Sequence, residues 1–196
     1  MYGILDDNSE LIAKFVAPLR VTSNQPAFVS DSLSLKRNAK ARSGQRWEVA
    51  APVAPLSTSA NKLFAMFVGK GNRKVFDITM PQNYGAVFNR KDVNAVVGNA
   101  SAGATTVLFS TDSFIPAGTF IKFANHDKVY MMLEDLNGNG LAEITPALRV
   151  LCPSTFVSWK EDVIMKAYME SDVISGMSYT DGILMDNGEL TFIEAL

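Results

Sequence analysis

Val163-Ile164-Met165-Lys166-Ala167-Tyr168-Met169-Glu170 sets Val163, Met165, Ala167 and Met169 against Ile164, Lys166, Tyr168 and Glu170. Alternation at a period of two is the mark of a β-strand, whose successive side chains point to opposite faces. The same period recurs in Ser32-Leu33-Ser34-Leu35-Lys36 and in the final stretch from Leu190 to Leu196, after the turn Asp186-Asn187-Gly188. Asp6-Asp7-Asn8-Ser9 reads as the turn of an opening hairpin that leads into Leu11 to Val21. Turn-forming residues between alternating runs make the chain all-β, with one short helix.

That helix is expected from Ala60 to Val68. Leu63, Phe64 and Phe67 fall at helical spacing, Ser57-Thr58-Ser59 supplies N-caps, and Gly69 and Gly71 are stop signals. Its apolar face is expected to cover the mouth or side of a sheet, and the strand Val75 to Met80 follows and ends at Pro81.

The middle section, Val87 to Pro153, reads as a separate small β unit. Its candidate strands are Val93 to Val97, Thr105 to Phe109, Thr119 to Phe123, Lys128 to Leu133, Leu141 to Thr145 and Leu148 to Leu151. Gly98-Asn99, Pro116-Ala117-Gly118, Asn125-His126-Asp127 and Asn137-Gly138-Asn139-Gly140 are the turns between them. Short strands at this spacing suggest a small barrel of the oligonucleotide- and oligosaccharide-binding kind. The expected organisation is a discontinuous β-barrel or sandwich domain, 1–86 plus 154–196, carrying an inserted barrel at 87–153.

Composition bounds the function. The 196 residues are 47% apolar and 10% aromatic, enough to bury a core and too apolar for a disordered chain. Charged residues are only 19%, below the usual share of about 25%, which suits a chain with much surface against protein neighbours. A net charge of −2 argues against a counterion-releasing nucleic-acid binder. The start, Met1-Tyr2-Gly3-Ile4-Leu5-Asp6-Asp7, carries acids where a secretory signal needs basic residues. No apolar run approaches the roughly 20 residues that cross a bilayer as a helix. The expectation is a soluble chain made in a cytoplasm.

Candidate chemistry is sparse. Asp135-Leu136-Asn137-Gly138-Asn139-Gly140 opens like a calcium-binding EF-hand loop, but its twelfth position is Pro146, which offers no bidentate carboxylate. A hairpin turn is the better reading. His126 is the sole histidine and Cys152 the sole cysteine, so a histidine metal cluster cannot be built within one chain. His126 reads as a surface residue and Cys152 as a small buried hydrophobe. The acid pairs Asp6-Asp7 and Glu161-Asp162 have no spacing that selects two carboxyls across a cleft. Gly69-Lys70-Gly71-Asn72-Arg73-Lys74 follows a helix and precedes a strand, the reverse of a phosphate loop, and reads as a helix end with basic decoration. No catalytic residue, metal ligand or cofactor site is expected.

Lys36, Arg37, Lys40, Arg42 and Arg46 lie within eleven residues without an acid among them, and Trp47 follows. These six residues are the candidate interface, with protein rather than nucleic acid as the partner, given the overall charge. Their alternative is a solvated hairpin arm.

The order of elements resembles the distal tail proteins of long-tailed bacteriophages, in the type with an oligosaccharide-binding-like insertion. The resemblance rests on Ser43-Gly44-Gln45-Arg46-Trp47, the helix and strand from Asn61 to Tyr84, and Pro116-Ala117-Gly118-Thr119-Phe120-Ile121-Lys122. It continues through His126-Asp127-Lys128-Val129-Tyr130, the Asn137 to Gly140 turn and the closing strand to Leu196. It implies a structural subunit rather than an enzyme: a homo-hexameric ring joining the tail tube protein above to the hub or baseplate protein below. The first domain would be similar to the tail-tube fold, with the insertion pointing outward and DNA passing through the ring without sequence-specific contact. Location in the virion, after assembly in the host cytoplasm, is implied as well. A closed ring would consume exposed strand edges in subunit contacts, and nine methionines suit adaptable protein contact. The alternative from another class is a carbohydrate-binding module, in which Tyr130, Phe120 or Phe123 of the inserted barrel stack on a host-surface sugar.

Overall fold

A computed structural model describes residues 2–31, 37–41, 44–56, 59–82, 96–160, 163–171, 178–180, 183–185 and 189–195, with the backbone alone at 38–41, 178–180 and 183–185. The expected strand Ser32 to Lys36, the caps Ser57 and Thr58, the pair Glu161-Asp162 and the turn Asp186-Asn187-Gly188 lie outside these residues. In chain order come β1 (Gly3–Leu5), β2 (Leu11–Phe15), β3 (Arg20–Asn24), β4 (Ala27–Asp31), β5 (Arg37–Ala41) and β6 (Arg46–Pro55). The helix α1 (Ala60–Lys70) and β7 (Phe76–Thr79) follow. Next are β8 (Val96–Ala100), β9 (Thr106–Ser110), β10 (Phe114–Ile115), β11 (Phe120–Phe123), β12 (Val129–Met132), β13 (Leu136–Asn137), β14 (Gly140–Thr145) and β15 (Cys152–Ser158). The last are β16 (Ile164–Met169), β17 (Ser178–Thr180), β18 (Ile183–Met185) and β19 (Glu189–Glu194). Among the described residues the chain is all-β with one short helix, as the alternation predicts.

The first unit closes on itself. Antiparallel ladders run β6–β2–β1–β7–β16–β19, and β19 pairs with β6 again. The length of β6 makes this possible: Glu48 to Pro52 bond β19 on one edge, while the other edge takes β3 along Arg46 to Ala50 and β2 along Val53 to Pro55. Beyond β6, β3 has no second strand neighbour among the described residues. In β1, a methyl at Gly3 would overlap the backbone carbonyl of Ala13, so the close approach to β2 needs glycine there.

Period two is kept in β16: Val163, Met165, Ala167 and Met169 are all buried, and Tyr168 faces out. In β19, Leu190, Phe192 and Glu194 share the buried face, so the period drives a carboxylate inward. The helix runs two residues further than Val68, and Gly71 ends it at φ 52° with its N–H on the Phe67 carbonyl at 2.8 Å. Ser59 occupies the N-cap position but its side chain makes no capping bond. Leu63 and Phe67 are fully buried against the sheet, each contributing about 1.5–3 kcal/mol by removal from water. Phe64 departs from expectation. It is 40% exposed, and half-buried Met66 packs toward the core instead.

The second unit is a closed antiparallel barrel of six strands, in the order β11-β12-β14-β9-β8-β15, one strand more than the five of an oligonucleotide-binding barrel. Five of the six expected strands are present within a few residues. The sixth is a correction: residues 148–151 form no strand, and the barrel is closed by β15, which starts at Cys152 and runs five residues past the expected boundary at Pro153. Pro153 reads as a stop because it cannot donate to a ladder. Here it sits in a bulge, where the register shifts between Cys152 and Thr155 and Ser154 takes φ 44°.

The two units meet in sequence at one place. In the first, β7 and β16 are adjacent antiparallel strands with Thr79 opposite Ile164, and the Met80 N–H bonds the Val163 carbonyl at 2.9 Å. The entire second barrel is therefore spliced between two strands that pair directly.

Candidate functional site

The basic cluster falls on three different settings. β4 and β5 form a two-stranded ribbon, Ala27 opposite Ala41 through Asp31 opposite Arg37, and no other strand joins it among the described residues. All five β4 side chains are exposed, Phe28 by 59% and Val29 by 49%. Arg37 is exposed at the start of β5, while Lys40 lies on β5 with its side chain outside the described residues, as are Lys36 and Arg42 altogether. Arg46 is exposed at the start of β6.

Trp47 requires a correction. It is 3% exposed, because β6 turns its neighbours Arg46 and Trp47 to opposite faces. Its indole N–H donates to the Val129 carbonyl at 2.8 Å, and its ring meets Phe120 edge-on at 5.1 Å. Trp47 is thus no part of an outward surface. It faces the second barrel of its own chain.

Around Trp47 the barrels share a seam. Phe120 and Val129, on the second barrel, belong to the same apolar cluster as Ile78 and Phe192 of the first. Lys128 Nζ donates to Glu194 Oε2, to Gln45 Oε1 at 2.7 Å and to the Gln45 carbonyl at 3.0 Å. Three acceptors match the three N–H bonds of an ammonium. Glu194 in turn accepts the Val129 N–H at 2.8 Å on Oε1 and the Trp47 N–H at 3.1 Å on Oε2. Burial lowers the Lys128 pKa, with Glu194 pulling the other way. Gln82 adds a second tie, donating to the Phe120 and Lys160 carbonyls at 2.9 and 3.0 Å and accepting the Phe120 N–H at 3.0 Å. A third lies at the rim, where Lys122 reaches the Ile164 carbonyl and Asp127, both at 3.0 Å, and Lys166 reaches Asp127 at 3.2 Å. The sequence reading put Lys128 and Glu194 on strands, gave Gln45 no role of its own, and missed this seam. Its one local signal is the carboxylate in Leu190-x-Phe192-x-Glu194.

The aromatic rings proposed as sugar platforms are interior. Phe120 is 8% exposed, and Phe123 and Tyr130 are fully buried. Cys152 is buried, as expected. His126 is more constrained than a plain surface residue: it stacks on Phe123, its Nδ1 lies 2.8 Å from Asn125 Oδ1, and its Nε2 lies 2.8 Å from the Tyr130 hydroxyl. Since Asn125 Oδ1 can only accept, the geometry suits a neutral ring with the proton on Nδ1 and the Tyr130 hydroxyl donating to Nε2. That hydroxyl also accepts the Arg149 N–H at 3.0 Å, and burial pushes its own pKa up to about 12.

Burial lowers the His126 pKa, and Lys122 adds to the shift. An unfolded histidine titrates near 6.5 and so binds its proton before the folded one does. The stability from neutral His126 is therefore complete above about pH 6.5 and is lost as pH falls through the folded value. Chemical denaturation at stepped pH is expected to show this loss in the native chain and a flatter profile between pH 7 and 5 in His126→Gln. Equal profiles would place the ring in contact with bulk water.

Asp135 and Asn139, from the EF-hand-like stretch, are used inside the fold: Asp135 Oδ1 accepts the Ala117 N–H and Asn139 Oδ1 the Thr111 N–H, both at 2.7 Å. Gly138 takes φ 76°, the left-handed conformation of a turn. Among the described residues no group of three His, Cys, Asp or Glu is placed to hold a metal ion, and no helix is long and apolar enough to cross a membrane. No protein-family model matches the chain, and no curated protein sequence matches it.

Proposed function

We propose that this chain is a structural subunit of a long-tailed bacteriophage virion, a distal tail protein that forms a homo-hexameric ring between the tail tube protein and the hub or baseplate protein. The observation that carries this reading is the β4–β5 ribbon, which follows β3 in the chain, together with an edge of β3 that no strand among the described residues pairs. A two-stranded ribbon with one side chain after another in water is marginal by itself, and an open strand edge invites pairing with another chain. Both features lie on one stretch, 20–41, and both are satisfied if the stretch contacts the next copy in a head-to-tail ring. The exposed cations Arg37, opposite Asp31 at the turn end of the ribbon, and Arg46, opposite Asn24 at the end of β3, would meet acids of a neighbour. Its role is mechanical: the barrels hold a channel open and the insertion projects from it. The carbohydrate-binding alternative has no exposed ring at Phe120, Phe123 or Tyr130.

Light scattering after size-exclusion chromatography tests the ring. The full chain is expected at about six chain masses, and deletion of 27–41 with a short glycine linker is expected to give a folded monomer. A full chain that stays monomeric at high concentration, or a deletion variant that still forms the ring, overturns the reading.

A further inference from the structure

A groove of 860 Å³ runs between the Asp6–Asn8 turn, the last turns of α1 and the outer face of β16, and neither the ribbon nor the seam uses it. Its floor is apolar, built from Met66, Val75 and the ring of Tyr168, which is 40% exposed. Its rim is charged, but unevenly. Lys62 is bonded to Asp6, and Lys70 to Asp7 at 2.8 Å, so the two acids and these two lysines cancel in pairs. Arg73 and Lys74 are left over. Both are exposed, and among the described residues no hydrogen bond or ion pair engages either side chain. Their backbone is fixed, because the N–H groups of both bond the Lys70 carbonyl at 3.2 Å. Two uncompensated cations on a rigid turn above an apolar concavity focus a positive potential into it.

We propose that this groove is a binding site for an organic dianion: its phosphate or carboxylate oxygens lie on Arg73 and Lys74, and its apolar or aromatic body lies on Met66, Val75 and Tyr168. The volume falls within the range of about 300–1,000 Å³ found for small-molecule sites. The guanidinium fork of Arg73 suits two oxygens of one phosphate or carboxylate group. Two cations beside an apolar floor select an amphiphilic anion and disfavour an evenly charged polymer such as nucleic acid.

Isothermal titration calorimetry of the full chain with phenyl phosphate, phenylsuccinate and inorganic phosphate tests the site. At least one phenyl-bearing anion is expected to bind more tightly than inorganic phosphate, and more weakly as salt rises. The variant Arg73→Ala/Lys74→Ala is expected to weaken binding by about tenfold or more, with its thermal midpoint unchanged because both side chains are in water. Tyr168→Ala is expected to remove the advantage of the phenyl group and leave inorganic phosphate unaffected. Binding of phenyl phosphate alone assigns a phosphate ligand, and of phenylsuccinate alone a carboxylate. Absence of heat from both at millimolar concentration, or equal affinity in the double variant, overturns the proposal. The titration does not depend on the ring, so a monomeric chain leaves it standing.

Discussion

Lys128→Met is expected to lower the unfolding free energy by about 3–5 kcal/mol, the cost of leaving one partner of a buried ion pair alone. Both side chains are almost fully excluded from water, Lys128 at 2% and Glu194 at 0%. Methionine keeps the length of the stem and removes the ammonium, so the Glu194 carboxylate keeps its two backbone N–H donors and loses its counter-charge. Gln45 loses a donor to its side chain and another to its carbonyl. Adding Glu194→Gln to Lys128→Met removes the stranded charge and is expected to recover part of the loss. Urea unfolding of the two variants is the measurement. A cost below about 1 kcal/mol, typical of pairs in solvent, would mean that water reaches the seam.

Trp47→Ala is expected to cost about 3–5 kcal/mol, as large-to-small changes at buried aromatics do. The indole fills the space between β6 and the wall of the second barrel, so its removal opens a cavity at the contact between the two units. Trp47→Phe separates packing from hydrogen bonding. It keeps a ring against Phe120 but leaves the Val129 carbonyl without its donor, at about 1–3 kcal/mol. Because Trp47, Val129, Lys128 and Glu194 share one network, Trp47→Phe and Lys128→Met together are expected to be non-additive in a double-mutant cycle. Unfolding monitored separately by Trp159 fluorescence and by far-ultraviolet circular dichroism should give one coincident transition. Two transitions would mean that the barrels unfold independently.

The parts of this fold that were legible are those fixed by local period. β16 and β19 follow from alternation, α1 from its spacing and Gly71, and five strands of the second barrel from turn residues between short apolar runs. Local reading failed where a contact overruled it. Pro153 looks like a terminator because the ladder it interrupts belongs to β8, more than fifty residues earlier in the chain. Trp47 next to a run of cations looks like a surface anchor, whereas strand pleat turns it inward. The seam was the least legible, since Lys128 and Glu194 are 66 residues apart and Gln45 and Lys128 are 83 apart. Nothing in either neighbourhood announces the other. The groove was half legible: its basic stretch Gly69 to Lys74 stood out, while the Tyr168 floor came from a strand nearly a hundred residues away.

The splice between β7 and β16 has a consequence for how such a chain can change. With Thr79 facing Ile164 across a ladder, a loop of a few residues would be enough to join them, and the host fold does not need the guest to complete its own hydrogen-bonded circuit. Insertion and removal at this point are topologically cheap, because closure entropy grows only with the logarithm of loop length. What resists exchange is chemical. A host without its guest would present an indole, a carboxylate and a glutamine to water, so a lineage that trades this module must alter positions 45, 47 and 194 along with it.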